Sequence, residues 1–313
     1  MPHDATTDQD VGAAAAIVAT LGMPQARIAP AYFYDQRGSA LFERITRLPE
    51  YYPTRTENAI MAMHGRDIGS HIAAKAAVIE LGAGNCEKAH RLCALIRPRC
   101  YVAVDISGAF LQASVAGLRR AFPALDVRTV VADINGEIRL PAAVPSQPRL
   151  AYYPGSSIGN FDPQPAVALL SRIRCLLGEA GALLVGVDLV KEEAVLDAAY
   201  NDAAGITAAF NLNVLDHLNC LIGADFDRRE WRHRAFFNRA QSRIEMHLEA
   251  ATNLHVTWAG GGRDFRCGER IHTESSYKYR REDFAQLLAQ AGFRQQACWT
   301  DPRRWFAVFL ATV

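Results

Sequence analysis

The chain has 313 residues, with 34 Lys+Arg against 33 Asp+Glu and a formal net charge of +1. Half of it is hydrophobic and 21% is charged, which excludes disorder throughout and allows one large domain or two smaller ones. Near-zero charge also argues against nucleic acid or an anionic membrane as partner, because both need a basic excess.

The first ten residues, MPHDATTDQD, carry three Asp and no Lys or Arg, so no signal-peptide n-region is expected and a cytoplasmic location is. The apolar run Gly12 to Leu21 is too short to span a bilayer and predicts a surface-packed helix ending near Gly22. From about residue 77 strands and helices alternate. Strands are predicted at Ala77–Leu81, Tyr101–Val104, Val127–Val131, Leu150–Tyr153 and Ala182–Val187. The first interleaved helix runs from about Glu87 to Leu95. The next is capped by Ser107 and carries Phe110, Leu111, Val115 and Leu118 at helical spacing. A third has Asp162 as N-cap, Pro163 at its first position and Gly178 past its end.

This alternation means a doubly wound, Rossmann-like α/β sheet, in which ligands bind at the C-terminal strand ends. Gly82, Asp105, Asp133, Gly155 and Asp188 all fall at such ends. After about residue 195 the pattern changes. A long helical stretch is predicted from Glu193 to about Leu221, then strands at Ile244–Leu248 and Leu254–Trp258, with a hairpin turn in AGGGRD. Helix Glu282–Ala291 and strands Gln295–Trp299 and Trp305–Leu310 return to the first sheet. The basic run Arg228 to Arg234 reads as a solvated helix face or surface loop. The seven cysteines (Cys86, Cys93, Cys100, Cys175, Cys220, Cys267, Cys298) show no CxxC and no zinc-type spacing, so reduced thiols and no metal are expected.

The loop after the first strand, Gly82-Ala83-Gly84-Asn85-Cys86-Glu87, has two of the three glycines of a dinucleotide fingerprint. Alone, GxG is a weak signal, with an ordinary strand–helix turn as the alternative. Asp105, about 20 residues on, adds an acceptor for ribose hydroxyls. A phosphate-free nucleoside relaxes the need for the third glycine, which favours S-adenosylmethionine over a nicotinamide cofactor. Asp133 is then placed for the adenine amino group, or is simply a turn residue.

Several long segments carry a closer likeness. They are YFYDQRGSALFERITRLPEYYPTRTE (Tyr32–Glu57), PGSSIGNFDP (Pro154–Pro163), the stretch Gly186–Leu215, GADFD (Gly223–Asp227), RIEMHL (Arg243–Leu248) and IHTESSYKY (Ile271–Tyr279). In order along nearly the whole chain, these resemble the L-histidine Nα-methyltransferases of ergothioneine biosynthesis. The resemblance implies trimethylation of the histidine α-amine to hercynine, with S-adenosylmethionine as donor; the rival is an Nα-methyltransferase of another amino acid such as tryptophan. It implies a substrate-binding α+β lobe from residues 1–60 and 196–279 and a methyltransferase core from residues 61–195 and 280–313. A monomer with a small-molecule substrate is expected.

By the same resemblance, Asn160 and Tyr200 hold the substrate carboxylate, with Gly155 in the same loop as Asn160, while Glu274 and Ser276 hold the imidazole. Their spacing of two puts Glu274 and Ser276 on one face of a strand. Tyr34 and Tyr51 match the aromatic residues around the methyl-accepting nitrogen, and Phe210 and Met246 line the pocket. Gly82, Gly84, Lys88, Asp105, Asp133 and Ile134 fall on the S-adenosylmethionine segments. Asn85-Cys86 departs from the small hydroxyl residues more usual after the GxG.

Overall fold

The structure is a computed structural model that describes residues 8–313, and the side chains of all of these but residues 8–11 and 109. Residues 1–7, part of the segment read as lacking a leader, lie outside the described residues. In chain order the elements begin with helices α1 (Asp8–Leu21), α2 (Gln36–Ile45) and α3 (Tyr52–His71). Next come β1 (Ala77–Leu81), α4 (Glu87–Ile96), β2 (Cys100–Asp105), α5 (Gly108–Ala121), β3 (Asp126–Val131), β4 (Arg149–Tyr153), α6 (Pro163–Leu177) and β5 (Ala182–Asp188). Helices α7 (Glu193–Tyr200) and α8 (Ile206–Ile222) precede β6 (Trp231–Asn238), β7 (Arg243–Ala250), β8 (Leu254–Trp258), β9 (Gly261–Phe265) and β10 (Arg270–Tyr277). The chain closes with α9 (Arg281–Gln290), β11 (Arg294–Thr300) and β12 (Phe306–Thr312). It divides into two compact units, Tyr52–Glu192 with Ser276–Val313, and residues up to Tyr51 with Glu193–Ser275.

In the unit that begins at Tyr52, seven strands pair in the order β11-β12-β5-β4-β1-β2-β3. The pairs β1–β2, β1–β4, β2–β3 and β4–β5 are parallel, and β12 is antiparallel to both β5 and β11. The sheet is covered on both faces, so its strands read as continuous apolar runs; all five residues of β1 are buried. Ile79 belongs to the apolar cluster that holds Leu170 of α6 and Phe284 of α9. Its neighbour Val78 belongs to the opposite cluster, with Ile60 of α3, Leu92 of α4 and Leu111 of α5. The doubly wound expectation is met. Strand order reverses between β1 and β4, so the crevice expected for a ligand opens beside the loops that follow those two strands.

The other unit contains a three-stranded sheet, β10-β7-β6, and the β8–β9 hairpin. The hairpin turns at Ala259-Gly260, where Gly260 takes φ +85°, as the AGGGRD reading predicts. Helix α8 is buried along most of its length, including Phe210, Asn211, Val214, Leu215 and Leu218.

Some local expectations need correction. The helical stretch from Glu193 is divided into two helices, because Asp202 turns back to accept from the Ile206 and Thr207 amides (both 2.8 Å) and Gly205 takes φ +68°. Ser107 and Asp162 stand at helix N-caps, yet neither side chain makes a capping bond. Asp162 instead accepts from the Tyr277 hydroxyl at 2.8 Å. The run Arg228–Arg234 is not one solvated surface. After the short 3-10 turn Arg228–Glu230 it enters strand β6, where Trp231 is buried and His233 half-buried while Arg232 and Arg234 stay exposed.

Candidate active site

The switch-point loops are organised around a residue the sequence reading did not select. Glu57, on α3, is 2% exposed. Its carboxylate accepts from the Gly155 amide (3.0 and 3.1 Å) and pairs with Lys88 Nζ at 2.5 Å. One buried carboxylate thus ties the loop after β4 to the helix after β1. Two glycines make room for it. Gly155 holds φ +82°, and a Cβ there would lie 3.0 Å from Lys88 Nζ. A Cβ on Gly186, in the middle of β5, would lie 2.1 Å from Glu57 Oε1.

Gly82 and Gly84 hold φ +66° and +52° with open space at their Cβ positions. Asp105 ends β2 and is fixed by two amides, Gly84 N to Oδ2 (2.9 Å) and Ser107 N to Oδ1 (3.0 Å). Each oxygen keeps a further lone pair, which suits a ribose diol. Asp133 is exposed, and its Oδ1 accepts from the Asn135 amide and side chain (2.8 and 2.9 Å). The turn role is therefore present, and adenine recognition would fall to Oδ2. Ile134 beside it is half-buried. These residues fit a nucleoside without a pyrophosphate.

The GSSIGN loop is held from several sides. Ser156 holds φ +61°, and its Oγ accepts from the Asp188 amide at 2.9 Å. Gly159 packs against the backbone of Tyr277, where a Cβ would lie 2.9 Å from the carbonyl oxygen. Asn160, half-buried, ends the short 3-10 turn Ser157–Asn160. Asn160 and buried Ser276 are therefore brought close through Gly159 and Tyr277.

Behind Ser276 lies a buried ionic cluster. Lys278 Nζ donates to Ser276 Oγ (2.7 Å) and to Asp188 Oδ2 (2.9 Å). Asp188 also accepts from the Tyr52 hydroxyl (2.6 Å) and from Lys191 (2.5 Å). Burial would raise the Asp188 carboxyl, but the charges of Lys278 and Lys191 outweigh it and hold it below the usual range.

In the other unit an aromatic group gathers three of the expected residues. Phe210 is 3% exposed and stacks on Phe33 at 4.6 Å, with Tyr34 and Phe42 each 5.9 Å away. Tyr51 meets Phe42 at 6.4 Å. The FYDQRG segment folds this way for a local reason. Asp35 caps α2 by accepting from the Gly38 amide (2.6 Å) and accepts from Asn213 of α8 (2.8 Å). A Cβ on Gly38 would sit 1.7 Å from the Phe33 carbonyl oxygen.

A polar relay fixes the backbone beside Tyr200. Thr273 donates to Asn211 Oδ1 (2.8 Å), and Asn211 Nδ2 donates to the His247 carbonyl and to His233 Nδ1 (both 2.9 Å). With Nδ1 accepting, His233 Nε2–H donates to the Tyr200 carbonyl at 2.9 Å. Met246 is buried on β7 opposite Ala235. Glu274 is half-buried, two residues before Ser276 on β10.

Glu245, His247 and His272 carry ligand atoms within 4.8 Å of one another, and His247 Nδ1 is buried with no hydrogen-bond partner. The Glu245 carboxylate already accepts from Arg243 (2.8 Å), Asn238 (3.0 Å) and His247 (3.0 Å). The charges of Arg243, Arg270 and Arg27 bear on the two imidazoles as well, so the surroundings oppose a divalent cation.

A mostly parallel sheet with glycine loops at its switch point and fixed carboxylates at strand ends defines an enzyme class that works with a nucleoside cofactor. Residues 13–313 match the family model described as histidine-specific methyltransferase, SAM-dependent, and the chain belongs to that family. It is 40% identical to the histidine N-alpha-methyltransferase of Mycolicibacterium smegmatis, over 90% of this chain and 89% of that one. Ergothioneine biosynthesis protein 1 of Neurospora crassa is 31% identical over 85% of this chain and 31% of that longer one. The 4-dimethylallyltryptophan N-methyltransferase of Claviceps purpurea is 25% identical, covering 87% of this chain and 86% of that one. Among the described residues, no helix is long and apolar enough to cross a membrane.

Proposed function

We propose that this methyltransferase transfers three methyl groups in succession to the α-amine of L-histidine, giving the betaine hercynine for ergothioneine biosynthesis. The observation that carries the reading is the histidine-specific family match over residues 13–313, on a chain with Glu274 and Ser276 two apart on β10. The bound S-adenosylmethionine supplies the electrophilic methyl carbon. Gly82, Gly84, Lys88, Asp105, Asp133 and Ile134 bind it at the strand ends. Asn160 and Tyr200 hold the substrate carboxylate by neutral N–H and O–H donors, near Gly155 in the same loop. Glu274 accepts from one imidazole nitrogen and Ser276 bonds the other.

Anchoring both ends of the substrate fixes the α-nitrogen, and positioning of this kind supplies most of the rate in a direct displacement. The amine must shed a proton before each attack. Tyr34 and Tyr51 orient it and lead that proton towards solvent, while their rings, with Phe210, favour the growing cationic charge. Met246 closes the pocket wall.

Glu274→Ala tests the substrate assignment. Leaving an imidazole N–H unpaired in a desolvated pocket is expected to raise the histidine KM by about 100-fold and to let tryptophan and phenylalanine compete. An unchanged histidine preference in a panel of amino acids, read by mass spectrometry, would refute it.

A further inference from the structure

Ser276 has a feature that the reading above leaves unused, and the inference here rests on that reading. A serine hydroxyl can donate or accept, so by itself it cannot tell an imidazole N–H from a ring nitrogen with a lone pair. Here Lys278 Nζ donates to Ser276 Oγ at 2.7 Å, and the ammonium has no lone pair with which to accept. The hydroxyl proton must therefore point away from Lys278. Lys278 cannot swing aside, because its side chain is 1% exposed and bonded to Asp188 at 2.9 Å. Asp188 is held in turn by Tyr52 (2.6 Å) and Lys191 (2.5 Å).

We infer that Lys278 is a positioning residue that sets the hydrogen-bond polarity of Ser276, so that the hydroxyl donates to the unprotonated ring nitrogen of histidine. Glu274, two residues earlier on β10 and able only to accept when ionised, takes the N–H of the other ring nitrogen. The pair then selects a neutral ring in one tautomer. A side chain whose only ring nitrogen is an N–H, such as an indole, offers the Ser276 hydroxyl no lone pair. Such unmatched polar groups are what makes a polar site selective.

The test compares histidine with β-(pyrrol-2-yl)alanine and β-(pyrrol-3-yl)alanine, which keep a ring N–H and lack the acceptor nitrogen. In the unaltered enzyme histidine should be preferred in KM by about tenfold or more. Lys278→Met should raise the histidine KM by about tenfold with kcat at saturation nearly unchanged, and leave the KM of the preferred pyrrole analogue where it was. In a Ser276→Ala background the Lys278→Met change should no longer alter discrimination. If Ser276→Ala itself leaves the histidine KM unchanged, the assignment of the imidazole subsite fails. If Ser276→Ala raises it but Lys278→Met weakens histidine and the analogue equally, or neither, the role of Lys278 alone fails. A measurement on the unaltered protein stands beside these variants. Ring-15N histidine bound with S-adenosylhomocysteine should show one pyrrole-type and one pyridine-type nitrogen; averaged shifts or two N–H groups would overturn the inference.

Discussion

Gly186→Ala perturbs the architecture behind the site with a single methyl group. The added Cβ would lie 2.1 Å from Glu57 Oε1 and 2.9 Å from Phe306 Cε1, in the middle of a buried strand. To reach even 3.0 Å the carboxylate must retreat, and it cannot do so without breaking its bonds to the Gly155 amide and Lys88. Overpacking of a core costs about 1–3 kcal/mol, and stranding a buried amide and its carboxylate adds about 1–3 kcal/mol. Urea denaturation should therefore show a loss of about 2–6 kcal/mol. S-adenosylmethionine binding, followed by calorimetry, should weaken by about tenfold as Lys88 and the loop at Gly155 shift. In a Glu57→Ala background only the 2.9 Å approach to Phe306 Cε1 remains, so the same substitution should cost much less, about 1 kcal/mol. Strictly additive losses in the double variant would refute the claim that Gly186 exists to seat Glu57.

Other outcomes follow from the same geometry. Tyr51→Phe should retain most substrate binding but lower kcat by about 10- to 100-fold in a steady-state assay, with mono- and dimethylhistidine accumulating. Full turnover at all three steps would rule out its place in proton handling. Asp202→Ala removes the acceptor for two amides at the start of α8. It should cost about 1–2 kcal/mol in denaturation and raise the histidine KM through the adjoining Tyr200. Burial would raise the Glu245 carboxyl, but hydrogen bonds from Arg243, His247 and Asn238 outweigh it and hold it at about 2. Its folded value lies below the ordinary 4.5, so its contribution is present above that pH and is lost as pH falls through about 2. Glu245→Gln should flatten the acid limb of the stability profile in that window, and an identical limb would contradict the assignment.

The sheet was legible because strands buried on both faces must be apolar runs, and β1 to β5 punctuate those runs with Gly or Asp at their ends. The α7–α8 break was less visible. Asn201 to Gly205 offers Asp and Gly as stop signals, but the apolar period continues across them. Tyr34, Tyr51 and Phe210 could be named from segment likeness alone, since nothing in an isolated aromatic separates a packing role from a functional one. Glu57, Lys191 and Lys278 escaped for a physical reason. Charged residues in a sequence read as solvated, and only the fold shows that these are buried and paired. One trace existed. A glycine inside an apolar strand, Gly186, signals a close approach by some other group, here the carboxylate of Glu57.

The central claim is that the α-nitrogen of histidine receives three methyl groups. Incubation of the purified chain with L-histidine and S-adenosylmethionine labelled with 13C in its methyl group tests it most directly. The account predicts one product with three equivalent labelled methyls on the α-nitrogen and an unlabelled ring, seen in a carbon–proton NMR spectrum. A label on an imidazole nitrogen, or labelled tryptophan in preference to histidine when both are supplied, would contradict it.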